Sequence, residues 1–132
     1  MKNKKLNVLI IILMLGMLIP LSGFSQEVIE IQVSPNVLNL QNHGTVVTIH
    51  TDIPYSAVVG SSVNLNGLEI ESWKSDNQGF FVAKFDMDEV KDLDDLVIGG
   101  YNTLTLTGET GNGTFTGTKD ILVINNIPNK KK

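Results

Sequence analysis

From Val28 onward, apolar residues recur at every second position in short runs, and each run stops at a turn signal. VIEIQV (28–33) puts Ile29, Ile31 and Val33 on one side and Glu30 and Gln32 on the other. This is the period of a half-buried strand, whose successive side chains point to opposite faces. Ser34-Pro35-Asn36 breaks the ladder, since proline has no N–H to donate. VLNL (37–40) resumes it, QNHG turns, and TVVTIHT (45–51) is β-branched at nearly every position. SVNLNG (62–67) ends in Asn-Gly, a strong hairpin signal. LEIESW (68–73) and FFVAKF (80–85) flank KSDNQG, and NTLTLTG (102–108), the turn ETGNG, TFTGT and DILVIN (120–125) complete the series. Seven to nine such strands predict an all-β chain closed as an antiparallel sandwich or barrel. No long segment carries a helical period.

One hairpin allows a register to be predicted. If KSDNQG (74–79) is a six-residue loop, Trp73 faces Phe80, Glu71 faces Val82 and Glu69 faces Lys84. The opposite-charge pair Glu69–Lys84 favours that match by about 0.2–1 kcal/mol and places its face in solvent. Leu68, Ile70, Phe81, Ala83 and Phe85 then read as core. Trp73 and Phe80 become an exposed aromatic pair on the outer face, the residue class enriched at contact surfaces. The plainer alternative has the pair covering an edge or packing under a loop as the sheet twists.

The N-terminus begins MKNKK and continues with an apolar run, Val8–Ile19, before Pro20. That order predicts a signal peptide over 1–25, with Gly23 and Ser25 as the small residues of a cleavage site after Ser25. Retention as an N-terminal anchor is the alternative, although the run is shorter than the ~20 residues a spanning helix needs. A single β-sandwich domain (26–125) and a polar tail (126–132, ending NIPNKKK) follow. The exported chain leaves Lys2, Lys4 and Lys5 behind, so fourteen carboxylates face seven lysines, a net of −7 without arginine. Phosphate backbones require the opposite balance, which sets nucleic acid aside as a partner. No cysteine exists, so neither a disulfide nor a lipidated N-terminal cysteine is available, and the core must hold the fold alone.

FDMDEVKDLDDLVIGG (85–100) concentrates six carboxylates around one lysine. A calcium loop of the EF-hand type needs glycine at its sixth position and glutamate at its twelfth. Counted from Asp86, Lys91 and Val97 occupy those places; counted from Asp92, Val97 takes the glycine position. A short connector helix near 87–93 fits better. Asp86 caps it, Glu89 reaches back, Val90 and Leu93 pack inward, and Gly99-Gly100 ends the segment. Weak calcium binding by Asp92, Asp94 and Asp95 is the alternative.

Catalytic constellations are sparse. His43 and His50 lie seven residues apart on extended chain, roughly 20 Å, with side chains on alternate faces, too far to share a zinc ion. Gly60-Ser61-Ser62 lacks the pattern of a nucleophile elbow, and ETGNGTFTG lacks the lysine and helix of a phosphate cradle. Fourteen acids make carboxylate pairs easy to find, so their number carries no argument for a glycosidase. The expectation is no enzyme and no cofactor.

The strings VSPNVLNL (33–40), TVVTIHTDIP (45–54), VNLNG (63–67), FVAKFD (81–86), GGYNTLTLTG (99–108) and FTGTKDILVI (115–124), in that order, resemble a secreted bacterial module. That module is an immunoglobulin-like β-sandwich recurring in extracellular and cell-surface proteins, often beside adhesion, dockerin or calcium-repeat segments. The resemblance implies fold and an extracellular setting rather than a particular activity. Its members often carry an aspartate-rich DxDxDG loop before the strand matching FVAKFD. This chain has SDNQG there, with Asp76 and Asn77, which removes most of the ligands such a loop supplies.

The expected role is a structural or binding unit at the cell exterior, secreted, periplasmic or on the cell surface. Its partner would be a cell-surface polymer or another protein domain, with no membrane contact after cleavage. Trp73, Phe80, Tyr55 and Tyr101 are the candidate contact residues. A second hypothesis is assembly by strand exchange, suggested by the apolar terminal ILVI and an open sheet edge. A small secreted hydrolase or inhibitor is the third.

Overall fold

Ten strands and one short helix build two packed sheets in the computed structural model, which describes residues 25–126. The first sheet contains β1 (Ser25–Val28), β3 (Val37–Asn39), β5 (Val58–Leu65), β6 (Leu68–Glu69), β9 (Gly100–Thr110) and β10 (Gly113–Ile124). Its order is β1-β10-β9-β5-β6, with β3 also pairing on β10. The second sheet contains β2 (Ile31–Ser34), β4 (Val46–Pro54), β7 (Ser72–Ser75) and β8 (Phe80–Asp86), in the order β2-β4-β8-β7. The described residues therefore form an all-β sandwich. Positions 1–24 of the expected leader and 127–132 of the expected tail lie outside the described residues.

The alternation read from VIEIQV holds for burial, since Ile29, Ile31 and Val33 all enter the core. Pairing is less regular. β1 runs parallel to β10 at Gly113–Thr116, the chain crosses through Ile29-Glu30 to pair β2 with β4, and β3 returns to β10 at Leu122–Ile124. At the crossing, the Glu30 N–H donates to Asp52 Oδ1 at 3.0 Å. Ser25 forms the first rung of β1, opposite Gly113, so a cut after Ser25 would remove that rung alone.

Phe81, Phe85 and Ile49 from the second sheet meet Leu104, Leu106 and Phe115 from the first, all fully buried. Burying each such side chain contributes roughly 1.5–3 kcal/mol, which offsets the absence of any disulfide. Asn66 and Gly67 both have positive φ (48° and 87°), as the type I′ hairpin joining β5 to β6 requires.

The predicted connector is α1 (Met87–Lys91), with Asp86 Oδ1 accepting from the N–H groups of Asp88 (2.8 Å) and Glu89 (3.4 Å). Met87 and Val90 are buried, and Leu93 packs against the core from its margin. Lys91 Nζ donates to the Asn42 carbonyl, tying the helix to the turn before β4.

The hairpin register differs from the prediction. LEIESW does not form one strand: Leu68-Glu69 pairs with β5 in the first sheet, and Ser72–Ser75 pairs with β8 in the second. Glu69 stands opposite Asn64, and Lys84 opposite Ser72, so the Glu69–Lys84 pair does not form. The loop is shorter than six residues because Asp76 organises it. Asp76 Oδ1 accepts from Gln78 N (2.8 Å) and Phe80 N (2.9 Å), and Asp76 N donates to the Phe80 carbonyl. Asn77-Gln78-Gly79 is then a three-residue turn with Gly79 at φ 89°. Trp73 consequently pairs with Ala83 rather than Phe80, a shift of three residues. An odd shift exchanges the faces.

Candidate contact surface

That exchange turns Trp73 inward, on the same side as Ala83, where its indole lies against Gly60 of β5 and bridges the two sheets at their edge. It remains 40% exposed because β7 is an edge strand. Phe80 is not its outer-face neighbour. Phe80 is half-buried and pairs with Pro54. Tyr55 belongs to a single 3-10 turn (Tyr55–Ala57), its ring stacked on that of Phe81 with centroids 6.2 Å apart, and its N–H donates to the Gly79 carbonyl. These three aromatics finish the sandwich's rim.

Tyr101 is different. It lies at the start of β9 and is 70% exposed. The loop before it is held by its neighbour Asn102, which accepts from Val97 N (2.7 Å) and donates to the carbonyls of Val97 (2.9 Å) and Gly100 (3.2 Å). Asn102 closes the corner, and Tyr101 is left on the outer face of the first sheet. Leu122 stands opposite it on β10, and Val37 stands opposite Leu122 on β3, giving an apolar stripe across three strands.

Beyond the stripe the same face is rich in hydroxyls. Leu104 and Leu106 point inward, so Thr103, Thr105 and Thr107 point outward. Thr118 pairs with Thr105 and Thr116 with Thr107, while Asp120 stands opposite Thr103 and accepts its hydroxyl at 2.6 Å. At the far end, an open depression of about 330 Å3 is lined by Gln26, Ser62, Asn64, Thr107, Glu109 and Thr114 among others. The strings TLTLT and TFTGT carried this signal, because alternation that buries the leucines must expose the threonines.

A larger depression, about 530 Å3, lies between the β5–β6 turn and the end of α1, where Glu69, Glu89, Asp92 and Asp94 contribute to the wall. Asp95 has φ 68° and does not line it. Among the described residues no group of three or more histidine or carboxylate side chains is placed to hold a metal ion. Asp76 is committed to its turn. His43 and His50 are both exposed, His43 before β4 and His50 within it. The terminal ILVI, which suggested strand exchange, lies inside β10, paired by β9 through Val123 on one edge and by β3 at Leu122–Ile124 on the other. Among the described residues no helix is long and apolar enough to cross a membrane.

Comparison of the chain with protein-family models, with curated proteins and with solved structures gives no match.

Proposed function

We propose that this chain is an exported, non-enzymatic immunoglobulin-like module acting as a binding unit at the cell exterior, with its contact surface on the outer face of the first sheet around Tyr101. The observation that carries this is Tyr101 itself, an aromatic side chain 70% exposed in an apolar stripe whose structural corner is already closed by Asn102. Aromatic side chains offer a large contact area at low cost in conformational entropy, and they dominate contact energetics where they are not spent on the core.

The strand order supports the immunoglobulin-like type. The order β2-β4-β8-β7 corresponds to strands A-B-E-D of that sandwich, and β5-β9-β10 to C-F-G. The lysine-led apolar leader supports export. The depressions are open rather than enclosed, which favours surface contact over chemistry in a desolvated pocket.

Sedimentation of the purified protein with envelope fractions of the producing cells tests this. Wild type should co-sediment, and Tyr101→Ala should lose most of that association with its melting temperature unchanged. N-terminal sequencing of the exported protein should begin at Gln26. Equal partitioning of wild type and Tyr101→Ala would remove the contact surface, and recovery of the full-length chain in the cytoplasm would remove the export.

A further inference from the structure

We infer that the outer face of the first sheet takes a neutral polysaccharide lying along β9 and β10; this rests on the contact surface proposed above and names its ligand class. A sugar ring presents two kinds of surface: C–H faces that pack on apolar and aromatic groups, and rim hydroxyls that both donate and accept hydrogen bonds. The face offers both. Tyr101, Leu122 and Val37 form the flat apolar part, and the threonines of β9 and β10 form the hydroxyl part. The depression then adds the carboxamides of Gln26 and Asn64, the hydroxyls of Thr107 and Thr114, and the Glu109 carboxylate. Carboxamides and hydroxyls supply donors as well as acceptors, whereas carboxylates only accept. Tyr101 and Thr107 are six residues apart on one strand, roughly 20 Å, so the site suits a chain rather than a single sugar.

Charge selects the kind of polymer. The outward positions of β9 and β10 hold Glu109 and Asp120 and no lysine, and Asp120 is already engaged by Thr103. An acidic polymer meets repulsion from these groups and from the net −7 of the exported chain. A basic polymer would be drawn instead to the six carboxylates of 86–95. A protein partner needs about 800 Å2 per side with an apolar centre. Here the exposed apolar groups are dispersed, with Tyr101, Leu122 and Val37 at one end, Val28 beside Thr116 and Val59 beside Glu109, and hydroxyls stand between them.

The test uses the full exported protein and envelope fractions treated in two ways. Periodate cleaves vicinal diols of glycans, and protease removes proteins. Binding should fall at least tenfold after periodate, survive protease, and persist in 0.5 M salt (about a 4 Å screening length), because the contacts are uncharged. Tyr101→Ala and a Thr105→Val/Thr118→Val double variant, both on the outer face, should each weaken retention at least fivefold with unchanged melting temperature. Loss with protease and survival through periodate would overturn the polysaccharide while leaving the Tyr101 surface in place. Binding abolished by salt would overturn neutrality. Indifference to Tyr101→Ala would overturn both the ligand and the surface.

Discussion

The indole of Trp73 lies so close to Gly60 that a Cβ on that glycine would clash with Cε2 of the ring. Gly60 sits where the register between β5 and β9 shifts, between Val59 and Asn64. Ser62 Oγ spans this irregular segment, donating to the Val59 carbonyl and accepting from Glu109 N. The bulge and the missing side chain together make the seat for the chain's single tryptophan.

Gly60→Ala should therefore displace Trp73 and destabilise the protein by about 1–3 kcal/mol, the usual cost of overpacking. Fluorescence reports this cleanly because there is one tryptophan, and its emission should move to longer wavelength. Trp73→Ala should cost about 2 kcal/mol, less than the ~3–5 of a fully buried tryptophan. The double variant should cost less than the sum of the singles, since both remove one contact. Additive losses would mean the two residues do not share a seat.

Asn102 and Tyr101 are neighbours with opposite duties, and their variants should separate. Asn102→Ala removes three hydrogen bonds around Val97 and Gly100 and should destabilise by about 1–3 kcal/mol. Tyr101→Ala should change stability by less than about 0.5 kcal/mol, as for an exposed position. Urea unfolding midpoints decide it. A large loss for Tyr101→Ala would make it a packing residue and withdraw it from the contact surface.

Much of the fold follows from alternation alone, and the exceptions have identifiable causes. Burial of Ile29, Ile31, Val33, Phe81 and Phe85 is written in the period, and the Asn66-Gly67 turn is written in its dipeptide. Period cannot tell that Ile70-Glu71 crosses between sheets, because a crossing strand keeps the same alternation. Nor does composition reveal that Asp76 tightens KSDNQG to a three-residue turn, which inverts Trp73. Of the four candidate contact aromatics, exposure singles out Tyr101, since the others complete the sandwich's edges. The threonine face was legible in principle, but threonine alternation in a strand is equally an expression of β-propensity.

Asp76 gives a direct check on that turn. Asp76→Ala should cost about 1–2 kcal/mol by losing two backbone N–H partners, and Asp76→Asn should recover most of it because one side-chain oxygen accepts both. Thermal unfolding of the three proteins measures this. Equal losses for both variants would show that charge, not the turn's hydrogen bonds, is what the position supplies.

A clasp joins β3 to the chain just after β10. Asn39 Nδ2 donates to the Asn126 carbonyl (2.8 Å), and Asn39 Oδ1 accepts from Asn126 N (3.1 Å). Gln41 Nε2 donates to Asn125 Oδ1 at 2.7 Å, and Leu40 N donates to the Ile124 carbonyl. β3 has three residues and one paired edge, so its order depends on this clasp more than on its own ladder. A chain ended after Asn126 should match the full chain in stability. One ended after Ile124 should lose about 1–3 kcal/mol, and its β3 amides should exchange hydrogen faster than those of β9. Asn39→Asp keeps the acceptor and discards the donor, so its loss should fall between the two. If ending at Ile124 leaves β3 protected, the parallel pairing with β10 holds that strand unaided.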